Sequence, residues 1–212
     1  MEKEELIKKI DIFLNLAIQA NCYNLIIKQF SEYKVKYIKQ INISNAFYSY
    51  TFNALVVATV MELSKIYDSH SQSFNIHDLI IDCNENIEYF SDSLLENESA
   101  TFEKINTSDD SVKENYFTPF KKQLENLEQQ INNLKKQRNK IYAHNDKVSE
   151  KDLINKFSLY YTDIDLLINF ALDFCTFAYS KLTNTRRSTA PLNINDWEKT
   201  LEIIKSSTTT EK

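Results

Sequence analysis

Apolar residues recur at helical spacing along nearly the whole chain, and polar punctuation cuts that pattern into helix-length pieces. From Glu4 to about Gln40, Leu6, Ile10, Phe13, Ala17 and Ile18 mark one face of a long helix. The stretch "NISN" (Asn42 to Asn45) offers a break and a fresh N-cap at Ser44. The next helix carries "VVATVMELSKIYD" and is predicted to be the most buried. After the polar loop "SHSQS", Asn75 is placed to cap a helix beginning "IHDLI", and a further helix is expected through "NIEYFSDSLLENE".

Beyond the polar loop "NTSDDS", Thr118 and Pro119 give a strong start signal, an N-cap followed by proline at the first helical position. That helix is predicted to run on through "KKQRNKIYAHNDK". In "TDID", Thr162 and Asp165 form an approximate capping box that opens the apolar helix "DIDLLINFALDFCTFAYSKL". "TNTRRSTAPLN" reads as a linker. Asn195 with Glu198 is a box-like start for a short helix containing Trp197, and the tail "SSTTTEK" is expected to fray. No strand alternation or internal repeat is visible. The predicted fold is all-α, an antiparallel helical bundle of four or more main helices over 1–185. A linker, a short C-terminal helix and a tail fill 186–212.

Composition sharpens this picture. The 212 residues contain no glycine and two prolines. Sheet proteins rely on glycine for tight hairpins and bulges, so its absence favours helices, with the plentiful asparagines able to take left-handed helix ends. A P-loop is excluded outright. The three cysteines, Cys22, Cys83 and Cys175, are odd in number and widely spaced, which fits neither a zinc site nor a disulfide framework and is compatible with a reducing cytosol. The N-terminus "MEKEELIKKI" lacks the apolar centre of a signal peptide, and the run "FNALVVATVMEL" is too short to cross a bilayer. A soluble cytoplasmic protein, with no membrane partner, is expected.

Charge then singles out one place. The chain carries a net −5, yet Lys121 to Lys147 holds seven basic residues against three acids, a local +4 that leaves −9 elsewhere. A concentrated basic helix end on an acidic protein can direct a polyanion to that spot. The bland reading is a solvated face for Lys135, Lys136 and Lys140; the other reading has these three and Lys147 bind RNA. Within this helix Phe120, Leu124, Leu127, Ile131 and Leu134 form a regular apolar seam, stepping by four and three. The next seam position is Arg138, after which Ile141, Asn145 and Val148 follow.

A guanidinium on a face expected to be buried must be paired, hydrated in a cleft or placed at an interface. It can also simply favour the helix C-terminus or snorkel past its neighbours. Glu62 or Asp68, on the preceding buried helix, could supply the counter-charge. His144 lies six residues after Arg138, about 240° of helical rotation and about 9 Å of rise. One straight helix therefore does not bring both side chains to one atom. Either the helix bends or ends near "YAHND", or a second copy completes the site about a two-fold axis. His70 and His77 flank a loop without ligand-type spacing, so no metal is expected.

The stretch "RNKIYAH", with Arg138, Asn139 and His144, resembles the signature of the HEPN superfamily. "RNKIYAHND" is similar to its abortive-infection branch, the AbiU-like proteins, as are "MELSKIYD", "FNIHDLI" and "YYTDIDLLINFALDF". The resemblance extends from about Leu6 to Leu182. It implies a dimerising helical bundle and often a metal-independent endoribonuclease, a toxin or anti-phage effector, needing no cofactor. In such members the arginine and histidine of both subunits line an RNA cleft. Carried over, Arg138 would hold the scissile phosphate, His144 would act as general acid or base, and Asn139 would orient one of the reacting groups. Tyr142 and Asp146 would support the site beside Glu62 and Asp68. HEPN toxins restrained by a nucleotidyltransferase antitoxin often carry Tyr two residues after the histidine, where this chain has Asp146. An antitoxin or regulatory protein remains an expected partner, but not by that route. Two other readings stand beside this one: a catalytically silent module binding RNA, nucleotide or protein, and a plain dimerising bundle whose Arg138 makes an interface salt bridge.

Overall fold

The computed structural model describes residues 1–68, 73–90, 116–139 and 159–209, and among these residues there is no strand. The helices are α1 (Lys3–Lys36), α2 (Ile38–Ile43), α3 (Asn45–Tyr67), α4 (Ile76–Glu85), α5 (Thr118–Asn126), α6 (Glu128–Gln137), α7 (Tyr161–Thr183) and α8 (Asp196–Thr209). The expected all-α bundle is therefore what forms. The loops predicted at "SHSQS" and "NTSDDS" fall wholly or mostly outside the described residues, as do His70 and the seam positions Ile141, Asn145 and Val148.

α1 is the central element, with α3 on one side and α7 on the other. Phe30 of α1 meets Tyr48 and Phe52 at the start of α3, so the two helices form an antiparallel hairpin. α7 is antiparallel to α1 as well. Lys28 near the end of α1 holds Asp165 at the start of α7 at 2.6 Å, and Asp11 and Asn15 near the other end take Arg187 just past α7. The core between them is built from Leu6, Ile10, Leu14 and Ala17 of α1, Leu63 and Ile66 of α3, and Leu167, Ala171, Phe174 and Ala178 of α7. Burying each of the leucine, isoleucine and phenylalanine side chains stabilises the fold by about 1.5–3 kcal/mol, which outweighs helix propensity in fixing the elements. α1 alone among the described helices is long and apolar enough to cross a membrane by length and composition. Its apolar face is nevertheless occupied by this core.

Several boundaries differ from the sequence reading. The first helix breaks at Tyr37 rather than running to Gln40, with backbone angles of −121° and 25°. There Tyr37 is fully buried, and its hydroxyl lies 2.9 Å from Glu198 and 3.2 Å from Glu202 of α8. α3 is not the most buried helix: its buried residues are confined to Thr59–Tyr67, whereas α7 buries residues along its whole length. The helix expected through "NIEYFSDSLLENE" starts only as a single 3-10 turn at Ile87–Tyr89, after which Phe90 is extended. Phe90 turns inward instead, its ring edge-on to Phe117 at 5.0 Å. The rest of that segment lies outside the described residues.

Caps follow local chemistry more closely than the sequence reading placed them. Asn75 does cap α4, in a full capping box with Asp78. The start at "TP" is displaced by one residue, with Phe117 at the cap and Thr118 already helical. At α7 the acid that meets the cap backbone is Asp163, which accepts from the Tyr160 N–H at 2.9 Å. Asp165 is drawn off by Lys28 and by Asn24, at 2.7 Å. Asn195 and Glu198 likewise serve α1, not a box: Asn195 accepts from Gln29, and Glu198 from Lys36 at 2.8 Å. Without glycine, the left-handed positions among the described residues fall to Asn184, which ends α7, and Asn193, just before α8, both at φ 56°. α8 then seats Leu201 and Trp197 against Tyr37, Ile41, Phe30 and Tyr33. Its last residues, Ser206 to Thr209, stay helical where fraying was expected.

Candidate functional site

The seam helix is two helices. The chain kinks at Leu127, whose angles of −92° and 5° separate α5 from α6, but the apolar register carries through the kink. Phe120, Leu124, Leu127 and Leu134 are buried, and Ile131 packs against the same core. The seam therefore delivers the end of α6 to the flank of α3, as its 4-3 spacing predicts.

At that end the polar break is wider than one residue. Gln137, next to Arg138 and three positions after Leu134, is itself buried. The backbone then winds wider, as a π-type turn, through Arg138 and Asn139. Such turns interrupt α-helices frequently at functional sites. Arg138 is held at two points. One Nη donates to Asp68 Oδ2 at 2.8 Å, and Nε donates to Asn139 Oδ1 at 2.9 Å. Both partners of the ion pair are mostly covered, at 22% and 23% side-chain exposure.

Asp68 caps the C-terminal end of α3, where the helix macrodipole already favours a cation. The position of that end is fixed by Tyr67, a fully buried residue whose hydroxyl donates to the Leu167 carbonyl of α7 at 2.6 Å. Of the two counter-charges foreseen for Arg138, Asp68 is the one used. Glu62 turns to Lys65 on its own helix at 2.8 Å. Lys135 lies in the same neighbourhood. Burial pushes its ammonium below the ordinary lysine value; Asp68 pulls it back up, and Arg138 pushes it further down. Lys135 and Arg138 thus both lie in the field of Asp68, and Glu128 adds a further pull on the Lys135 ammonium. Lys136 is exposed beside it.

Lys140, Tyr142, His144, Asp146 and Lys147 lie outside the described residues. Gln137 and Tyr67 were missed by the sequence reading. Gln137 was in principle visible, since i+3 from Leu134 is as good a seam position as i+4. His77 sits at the start of α4, 3.9 Å from Asp78. Among the described residues no group of three His, Cys, Asp or Glu is placed to hold a metal ion.

An all-α bundle whose seam helix ends in an Arg–Asn pair set against the preceding helix has the architecture of the HEPN class that the motif implied. Within that class, the family model described as AbiU2 matches residues 3–200. The chain belongs to this AbiU2 family of HEPN proteins, the abortive-infection branch of the fold. No curated protein and no solved structure matches the chain.

Proposed function

We propose that this AbiU2-family protein is a metal-independent endoribonuclease that acts as a toxin or anti-phage effector, cutting RNA at a site shared by two chains. The observation that carries the reading is the two-point clamp on Arg138, by Asp68 and Asn139, at the end of a buried seam. A guanidinium fixed in this way is pre-oriented towards a phosphate, and a planar fork suits phosphate oxygens better than a free lysine does. Arg138 stabilises the charge that builds on the non-bridging phosphate oxygens as the 2′-hydroxyl attacks. His144 moves the proton, taking it from the 2′-hydroxyl or giving it to the leaving oxygen, a task that suits an imidazole. The product is a 2′,3′-cyclic phosphate or its hydrolysed form. Lys135, Lys136, Lys140 and Lys147 attract the RNA backbone, and Tyr142 and Asp146 steady the site. The protein works in the cytoplasm, and a neighbouring antitoxin or regulator restrains it.

The same clamp favours a second reading. An arginine neutralised by Asp68 at the end of α3 is also what a structural salt bridge looks like. Cleavage of a mixed RNA substrate in EDTA, by the parent chain and by Arg138→Ala and His144→Ala, separates the two. The nuclease reading expects cleavage by the parent and its loss, by at least about 100-fold, in both variants while they remain folded. Cleavage surviving both substitutions removes the assignment. RNA bound but uncut by the parent points to a silent binding module, and a destabilised Arg138→Ala with no RNA effect at all points to the salt bridge.

A further inference from the structure

α3 carries a second apolar stripe, on the side away from the core. Phe47, Tyr50, Ala54, Val57 and Met61 step by three and four along the helix, and all are exposed, Phe47 by 64% and Tyr50 by 76%. This is the spacing by which one helix meets another along its length. The stripe also lies in an unusual stretch of sequence. From Ile41 to Met61 there is no charged residue, in a chain where 26% of residues are charged, so about five would be expected. Interface centres are depleted of charge in the same way, and scattered surface apolar residues are not.

The absence of charge also narrows the occupant. A chain of net −5 repels its own copies over most of its surface. Along this face it does not, so the stripe is compatible with itself. We infer that the outer stripe of α3 is the seam on which two copies of this chain pair, with their α3 helices parallel and in register. The orientation rests on the reading of a site shared by two chains. Asp68 directly follows Tyr67, the last residue of α3, so the clamp on Arg138 lies at the C-terminal end of the same helix. Parallel pairing brings the two Asp68–Arg138 pairs to the same end of the seam, about 10 Å apart, one helix-to-helix spacing. Antiparallel pairing centred on Ala54 would instead hold them about 40 Å apart, too far to share one cleft.

Disulfide trapping reads both the seam and its direction. In the full chain carrying Cys22→Ser, Tyr50→Cys and Val57→Cys are introduced one at a time, with Leu166→Cys, on an exposed position of α7, as the control. Mild oxidation should convert both α3 variants to reducible dimers, because equivalent positions face each other all along a parallel seam, and leave the control monomeric. Dimers no more abundant than in the control for these variants and for a third, Ala54→Cys, overturn the seam; dimers from Ala54→Cys alone overturn the direction. Val57→Arg, at an exposed position, should sediment as a single chain with its helical circular dichroism intact; a retained dimer overturns the seam independently. A chain that is trapped at both positions yet leaves RNA uncut supports the seam and removes the nuclease reading. RNA cleavage by a chain that cannot be trapped keeps the nuclease and overturns the seam.

Discussion

Two stripes in this molecule share one spacing and meet opposite fates. Along α5 and α6, Phe120, Leu124, Leu127 and Leu134 are buried; along α3, Phe47, Tyr50, Val57 and Met61 face outwards. The first stripe is flanked by lysine, glutamate, glutamine and asparagine, so α6 has only one face it can bury. α3 is uncharged from Asn45 to Met61 and apolar on more than one side, so its spacing is compatible with two burial directions. The bundle takes the side that carries Leu63, Ile66 and Tyr67, because that side meets α1 and α7. Periodicity thus establishes that a helix exists and which residues share a stripe. Which stripe goes inside depends on what the remaining chain can bring against it.

The largest break in the comparison comes from truncating one residue in each stripe. Leu134 is fully buried, and Leu134→Ala should destabilise the chain by about 2–5 kcal/mol through lost transfer energy and a residual cavity. Val57→Ala on the outer stripe should change the unfolding of a single chain by no more than about 0.5 kcal/mol. Denaturant midpoints measured side by side, at a protein concentration low enough to keep the copies apart, check this. Equal losses would mean that the two stripes are covered alike within one chain.

Smaller effects probe what sets the end of α3. Tyr67→Phe removes a buried hydroxyl and leaves the Leu167 carbonyl without that donor, which should cost about 1–2 kcal/mol in the same assay. Asp68→Asn weakens the ion pair but keeps an oxygen for Arg138 to reach, and the pair is partly exposed, so the loss should be about 1 kcal/mol or less. An Asp68→Asn loss larger than that of Tyr67→Phe would show that the ion pair, not the tyrosine anchor, fixes where α3 ends.

Much of this was legible in the residues, for reasons that can be named. The 4-3 spacing read the α6 seam correctly through its kink, because Leu127 keeps its register even where its backbone leaves the helix. The kink itself had no signal, since leucine is a good helix former and neither glycine nor proline marks the spot. Asp68 and Glu62 were both in view as partners for Arg138. Glu62 could have been set aside, because it has Lys65 at i+3 on its own helix, a pair that forms locally. Burial of α3 was overestimated because a helix with few charges is read as buried all round. Capping acids were misplaced where tertiary partners outbid the local turn: Lys28 takes Asp165, and Lys36 takes Glu198. Asparagine standing in for glycine at a left-handed helix end, by contrast, was foreseen and is found at Asn184.

The weakest expected effect concerns the first half of α3, whose inner side is covered from afar. Tyr48 and Phe52 pack with tilted rings on Phe30, and Phe30 stacks on Trp197 of α8, the chain's one tryptophan. α8 is held there in part by Glu198, whose carboxyl is lowered from its ordinary value of 4.5 chiefly by the hydrogen bond from Lys36, with Tyr37 and Tyr33 adding to it. A carboxyl depressed in the folded chain contributes stability above its unfolded value, and that contribution is lost as pH falls through the folded one. Acidification from neutral pH should therefore leave Trp197 fluorescence unchanged until below about pH 4.5, then shift it towards the red as α8 loosens. Glu198→Gln should flatten that transition and leave the Leu134 stripe untouched. A transition of the same size in Glu198→Gln would place the acid sensitivity elsewhere, and would mean that the aromatic stack alone keeps the inner side of α3 covered.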